Sequence, residues 1–258
     1  MSDIVLARVE ASVATITLNR PDKRNALNRA LVMRLLEAFH QVIADTQVRV
    51  IILTANGPAF CAGMDLAELA ETLDRPDEAE QVHADTRRLA ELYELIYTCP
   101  KPTIAAVPGP AVAGGAGLIT VCDLAVATPQ ARFGYPEVRR GLVAAMVLPH
   151  LLRLVGERIA RELLLGGELI DAERAYQIGL INAVVPENDL LPTALQWARR
   201  CALGGPQALA KTKELLRRFS PFITASQAAE ESALARLQIE CREGLRAFLE
   251  KRPAPWVQ

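Results

Sequence analysis

The sequence predicts an α/β protein built on parallel strands, from three observations. Val48 to Ala55 is a nearly continuous apolar run ended by Asn56-Gly57-Pro58, the pattern of a strand covered on both faces. Thr103 to Val107 and Leu124 to Ala127 repeat that pattern, with a helix expected from Gly114 to Cys122 between them. Strand, turn, helix and strand in this order call for right-handed parallel crossovers. The composition is 51% hydrophobic but only 5% aromatic. Its apolar share is mostly Ala, Leu and Val, which suits close helix packing better than an all-β sandwich.

From the N-terminus, Ile4 to Glu10 and Val13 to Leu18 alternate apolar and polar residues around Ala11-Ser12 and read as a β-hairpin. Asn28 caps a helix whose stripe is Leu31, Leu35, Leu36, Phe39, Val42 and Ile43. Glu68 to Asp77 is polar and irregular, a mobile segment over a site. Ala79 to Tyr97 returns to helical spacing through Val82, Leu89, Leu92 and Ile96. After about Asp189 strands cease, and Leu190 to Leu203, Pro206 to Arg218 and Ile223 to Leu249 form helices whose apolar stripes need a partner surface.

The chain has 258 residues and a net charge of −1, so nothing electrostatic points to nucleic acid as the main partner. The basic run from Lys211 to Arg218 reads as a solvated helix face. Met1-Ser2-Asp3 begins no leader-like segment, and no apolar run reaches the roughly 18 residues of a membrane span. Cys61, Cys99, Cys122, Cys201 and Cys241 lack metal-ligand spacing and read as buried thiols in a reducing compartment, the cytoplasm. No metal site is expected.

The most informative stretch is Val112-Ala113-Gly114-Gly115-Ala116-Gly117-Leu118, followed by Cys122-Asp123 and Phe133-Gly134-Tyr135-Pro136-Glu137. Glycines at the mouth of an apolar helix leave backbone N–H groups open to an approaching oxygen. A carboxylate, Glu137, follows Gly114 by 23 residues. Donors plus one acid point to chemistry through a stabilised oxyanion. With Asn19-Arg20-Pro21, Lys23 to Asn28, Ala59 to Leu66, Lys101 to Val107 and Gly166 to Pro186 in the same order, the chain resembles the enoyl-CoA hydratase/isomerase (crotonase) superfamily along nearly its whole length.

The resemblance implies a spiral of repeated β-β-α units over residues 1–188 and a C-terminal helical region, 189–258, packed across a homotrimer or dimer of trimers. It implies an acyl-CoA thioester as substrate, with coenzyme A entering as part of that substrate and no separate cofactor. Met64 and Gly114 take the two oxyanion-donor positions and Glu137 that of the catalytic acid. Arg24, with Lys23, falls where CoA phosphates are met; Ala26 and Leu27 lie along the pantetheine. Ala62, Gly63, Asp65, Leu66, Gly115, Gly117, Pro136 and Gly141 complete the binding segments, and Leu69, Leu73 and Met146 shape the acyl pocket. Two-acid hydratases carry a second glutamate where this chain has Gly117. The run Leu142 to Val147 replaces a glycine-rich turn, so the nearest likeness is to single-glutamate hydratases of the methylglutaconyl-CoA type. Asp123 looks structural. One base fits hydration of a 2-enoyl-CoA, or alternatively 3-enoyl to 2-enoyl-CoA isomerisation. A noncatalytic acyl-CoA- or RNA-binding relative is the third reading, and retention of Glu137 counts against it.

Overall fold

A computed structural model describes residues 3–218 and 225–252. The elements in order are β1 (Val5–Glu10), β2 (Val13–Leu18), α1 (Arg29–Ala44), β3 (Val50–Ala55), α2 (Leu66–Leu73), α3 (Glu78–Thr98), β4 (Thr103–Val107), β5 (Ala111–Val112) and α4 (Gly114–Thr120). Then come β6 (Leu124–Ala127), β7 (Arg132–Gly134), α5 (Leu148–Gly166), β8 (Ile170–Asp171), α6 (Ala172–Gln177) and β9 (Ala183–Val184). Four helices close the chain: α7 (Glu187–Ala202), α8 (Pro206–Arg218), α9 (Ala225–Arg236) and α10 (Ile239–Leu249).

The main sheet has six strands in the order β1-β2-β3-β4-β6-β9, antiparallel only between β1 and β2. Both faces are covered, which is why its inner strands lack alternation. Ile51, Leu53, Ala105 and Val107 join Leu35 and Phe39 of α1 and Leu92 and Ile96 of α3 in the large core. Val50, Ile52, Ile104, Ala106 and Val126 meet Leu190, Ala194 and Ala198 of α7 on the other face. A second sheet, β5-β7-β8, stands beside the first. Successive strands alternate between the sheets before each helix, as in β4-β5-α4 and β6-β7-α5. The fold is the mixed α/β architecture expected from the sequence.

Three expectations change. Residues 66–73 are helical, because Leu66, Leu69 and Leu73 recur at helical spacing and pack with Val82, Leu142 and Leu245; Thr72 is buried beside them, and Glu71 faces outward. The helix expected over 223–249 is two helices, broken at Leu237-Gln238 where Gln238 is extended (φ −74°, ψ 152°); Ile223 and Thr224 lie outside the described residues. Lys213 is not solvated: its Nζ reaches Asp123 at 2.5 Å and the Lys101 carbonyl at 3.0 Å, pinning α8 to the main sheet. Asp123 also accepts from the Thr103 amide (2.7 Å) and hydroxyl (3.0 Å).

Candidate active site

The small sheet builds the site. Cys61 bridges to Ala111 in parallel, and Ala111 pairs in parallel with Phe133. The segments leaving these three strands therefore emerge side by side: Ala62-Gly63-Met64, Val112-Ala113-Gly114 and Gly134 to Glu137. A Cβ on Gly63 would lie 3.4 Å from the Gly114 nitrogen and 2.8 Å from the Val112 carbonyl, and Gly63 has φ +86°. Only glycine lets these two segments approach so closely.

The Leu27–Met64 bridge uses the amides of Leu27 and Asp65, bonded to Gly63 and Leu27 carbonyls, and leaves the Met64 N–H free. Gly114 opens α4, so its N–H has no turn before it to bond. Among the described residues neither amide has a hydrogen-bond partner. Ala113, just before Gly114, is held at φ 53°, ψ −124°. That conformation costs a residue with a side chain about 1–3 kcal/mol, and the Ala113 amide is tied to the Gly134 carbonyl at 2.8 Å. Asn25, fully buried, braces the facing loop: it donates to the Asn56 and Ala59 carbonyls at 2.9 Å and accepts from the Arg20 amide at 2.7 Å.

A cavity of about 520 Å³ opens here. Lys23, Arg24, Ala26, Ala62, Met64, Asp65, Leu66, Gly114, Pro136, Glu137 and Met146 all line it. Lys23 and Arg24 are exposed at its rim, and Asp65 is paired with Arg20 at 3.3 Å. Other expected residues lie behind the wall. Leu27 is core, and Leu69 and Leu73, on the inner face of α2, belong to a separate cluster with Val82 and Leu245. Gly115 backs onto the Cys61 carbonyl, and Gly141 (φ +68°) onto Glu240 and Cys241.

Glu137 sits in a short 3-10 turn, Pro136–Arg140, at the cavity wall. Its Oε2 is buried without a hydrogen-bond partner. Burial raises its pKa from 4.5 to about 7, against smaller opposing effects of a backbone hydrogen bond, Arg140 and Arg236. Three other titratable side chains are unsuited to carry the proton. His150 packs on the Tyr97 ring at 4.9 Å, and burial pulls its pKa down to about 4. Burial also pushes the Tyr135 phenol well up and the Cys61 thiol to about 12. Among the described residues no cluster of metal-ligating side chains is present, and no helix is long and apolar enough to cross a membrane.

Two residues at the site were not singled out from sequence. Tyr93 of α3 fills the space that a side chain at 117 would need: a Cβ there would lie 2.4 Å from its hydroxyl oxygen. That hydroxyl donates to the Gly114 carbonyl at 2.7 Å. Arg236 of α9 is buried and lines the same cavity. It continues the buried positions Ala229 and Ala233 at helical spacing, where an arginine is out of place, but only the fold shows that this face is buried.

An enclosed carboxyl beside two free amides is suited to an enzyme that moves protons next to a carbonyl group. The chain belongs to the enoyl-CoA hydratase/isomerase family, which it matches over residues 8–258. It is 43% identical to a Thermus thermophilus protein over 245 residues, 93% of this chain and 96% of that one. It is 38% identical to the 2,3-dehydroadipyl-CoA hydratase of Escherichia coli K12 over 256 residues, 98% and 97% of the two chains. The crystal structure of an enoyl-CoA hydratase from Mycobacterium avium is 37% identical and superposes with a TM-score of 0.85 over the full length of both chains.

Proposed function

We propose that this enzyme adds water reversibly to a 2-enoyl-CoA, using Glu137 as its one acid–base group and the Met64 and Gly114 amides as an oxyanion hole. The thioester carbonyl would accept from both amides, so that electron density moved onto its oxygen meets fixed donors. Such donors contribute on the order of 3 kcal/mol each, because they need no reorganisation. Glu137 takes a proton from water as the oxygen attacks C3, and the same carboxyl returns a proton to C2. The observation that carries this reading is the enclosed, unpartnered Oε2 of a carboxyl whose pKa is raised to about 7. Near neutral pH such a group is available in both protonation states. Tyr93 takes the space at Gly117, which supports an acid that works alone.

CoA phosphates would meet Lys23 and Arg24 at the rim, with the pantetheine running along Ala26 and Ala62 toward Glu137. We further propose a cytoplasmic homotrimer or dimer of trimers, in which the exposed Leu203, Leu216 and Ile239 meet neighbouring subunits. The test of the reaction is absorbance of the conjugated thioester. Crotonyl-CoA should lose absorbance as water adds. A gain in absorbance with a 3-enoyl-CoA, and no loss with 2-enoyl substrates, would replace hydration by isomerisation.

A further inference from the structure

Apart from Glu137, whose Oε2 has no hydrogen-bond partner, and Arg236, the charges lining the cavity have neighbours or face solvent. Asp65 is paired with Arg20, and Lys23 and Arg24 face solvent. Arg140 bonds to the Pro136 carbonyl at 3.3 Å and stacks 4.5 Å from the Phe248 ring, which is half-exposed at the rim. Arg236 differs. It is only 5% exposed, and its one hydrogen bond among the described residues is from Nη1 to the neutral Thr86 hydroxyl at 2.7 Å. No described carboxylate is within ion-pair distance of it; Asp85, which is held by Arg29 at 2.8 Å, and Glu137 act on it only from farther away. A guanidinium enclosed this way is costly unless something anionic completes it.

Its surroundings identify what that partner would be. Arg236 also lines the small cavity behind Met64, with Leu27, Leu89 and the acids Asp65, Glu68 and Asp85, which are already paired with Arg20 and Arg29. It therefore stands inside the site, away from the rim where a nucleotide phosphate would sit. Ser232, one turn earlier on α9 and 2% exposed, faces the main cavity with it. A planar donor fork with a hydroxyl beside it matches a carboxylate.

We propose that Arg236, assisted by Ser232, is a subsite for an acyl chain that ends in a carboxylate, on the reading that the cavity takes an acyl-CoA. The selection acts in both directions: a methyl-terminated chain would shut water away from the guanidinium without replacing it by an anion.

The test uses saturated thioesters, which bind but do not react. Succinyl-CoA with butyryl-CoA, glutaryl-CoA with pentanoyl-CoA, and adipyl-CoA with hexanoyl-CoA are matched in chain length and differ by the terminal carboxylate. Calorimetry on the wild-type protein should find one carboxylate-ended member bound about 10- to 100-fold more tightly than its match, the size of a charged hydrogen-bonded pair. Arg236→Met should collapse that ratio to one or below, and Arg236→Lys should keep part of it. Equal affinities throughout the wild-type series, or a ratio that survives in Arg236→Met, overturns the subsite. If Arg236→Met does not fold, the wild-type ratios and Arg236→Lys decide. Because no turnover is needed, a carboxylate preference without hydration of any enoyl-CoA would keep the subsite and sink the hydratase reading. Hydration of hexenoyl-CoA without such a preference would do the reverse.

Discussion

Replacing Gly117 tests the proposal that the site works with one acid. A Cβ at this position would lie 2.4 Å from the Tyr93 oxygen, 2.7 Å from its Cζ and 3.1 Å from Cγ2 of Val147. Tyr93 is 1% exposed and cannot swing into solvent. An alanine in α4 gains about 1 kcal/mol in helix propensity over glycine. Overpacking a rigid core costs about 1–3 kcal/mol, and so short a contact puts it at the upper end. Gly117→Ala should therefore lose about 2 kcal/mol net, a fall in Tm of roughly 4–8 °C for a domain of this size. Pushing Tyr93 away also frees the Gly114 carbonyl it holds, so kcat should fall as well. Gly117→Glu, which would restore a second acid by sequence, should do worse, because its carboxyl enters a filled space. Thermal melts followed by circular dichroism and steady-state kinetics on crotonyl-CoA measure both effects. An alanine variant that melts at or above the wild-type temperature with unchanged kcat would mean that Tyr93 does not occupy the place of the missing acid.

Glu137→Gln should lower kcat by about 10²- to 10⁴-fold, with binding of a saturated acyl-CoA little changed. In the wild type, activity limited by the base should rise with pH through about 7. The folded protein keeps this proton to about 7 whereas the unfolded chain releases it near 4.5, so unfolding gives up a proton between these values. The contribution of Glu137 to stability falls as pH rises across that window, and urea titrations should find the fall weakened in Glu137→Gln. Ala113→Gly relieves the φ 53° backbone and should raise Tm by a few degrees, about 1 kcal/mol; a lower Tm would refute the strain. Sedimentation at micromolar concentration should report a trimer or hexamer, and a stable monomer would remove the proposed subunit contacts.

What could be read in the sequence follows the reach of each signal. Strands β4 and β6 lie at the residues where their apolar runs begin and end, because a strand covered on both faces needs no outside information. Strands β5, β8 and β9 have two residues each, too few for any pattern; they exist because a neighbouring strand is there. Residues 66–73 read as irregular because the segment is short and runs on into the polar Asp74-Arg75-Pro76-Asp77, which hides the spacing of its three leucines. Gly117 was legible as a missing acid, but what fills its place comes from Tyr93, which lies 24 residues earlier on another helix. Arg236 escaped notice because charges in a polar helix are ordinary until the fold shows which face is buried.

Helices α9 and α10, at the very end of the chain, supply Ser232, Arg236, Phe248 and Leu249 to the cavity wall. The amides and the acid come from the small sheet, which is encoded much earlier. The proposed catalytic groups and the proposed acyl-chain subsite thus come from separate stretches of the sequence. Substitutions confined to α9 and α10 should therefore change which acyl chain is preferred while the two amides and Glu137 stay where they are.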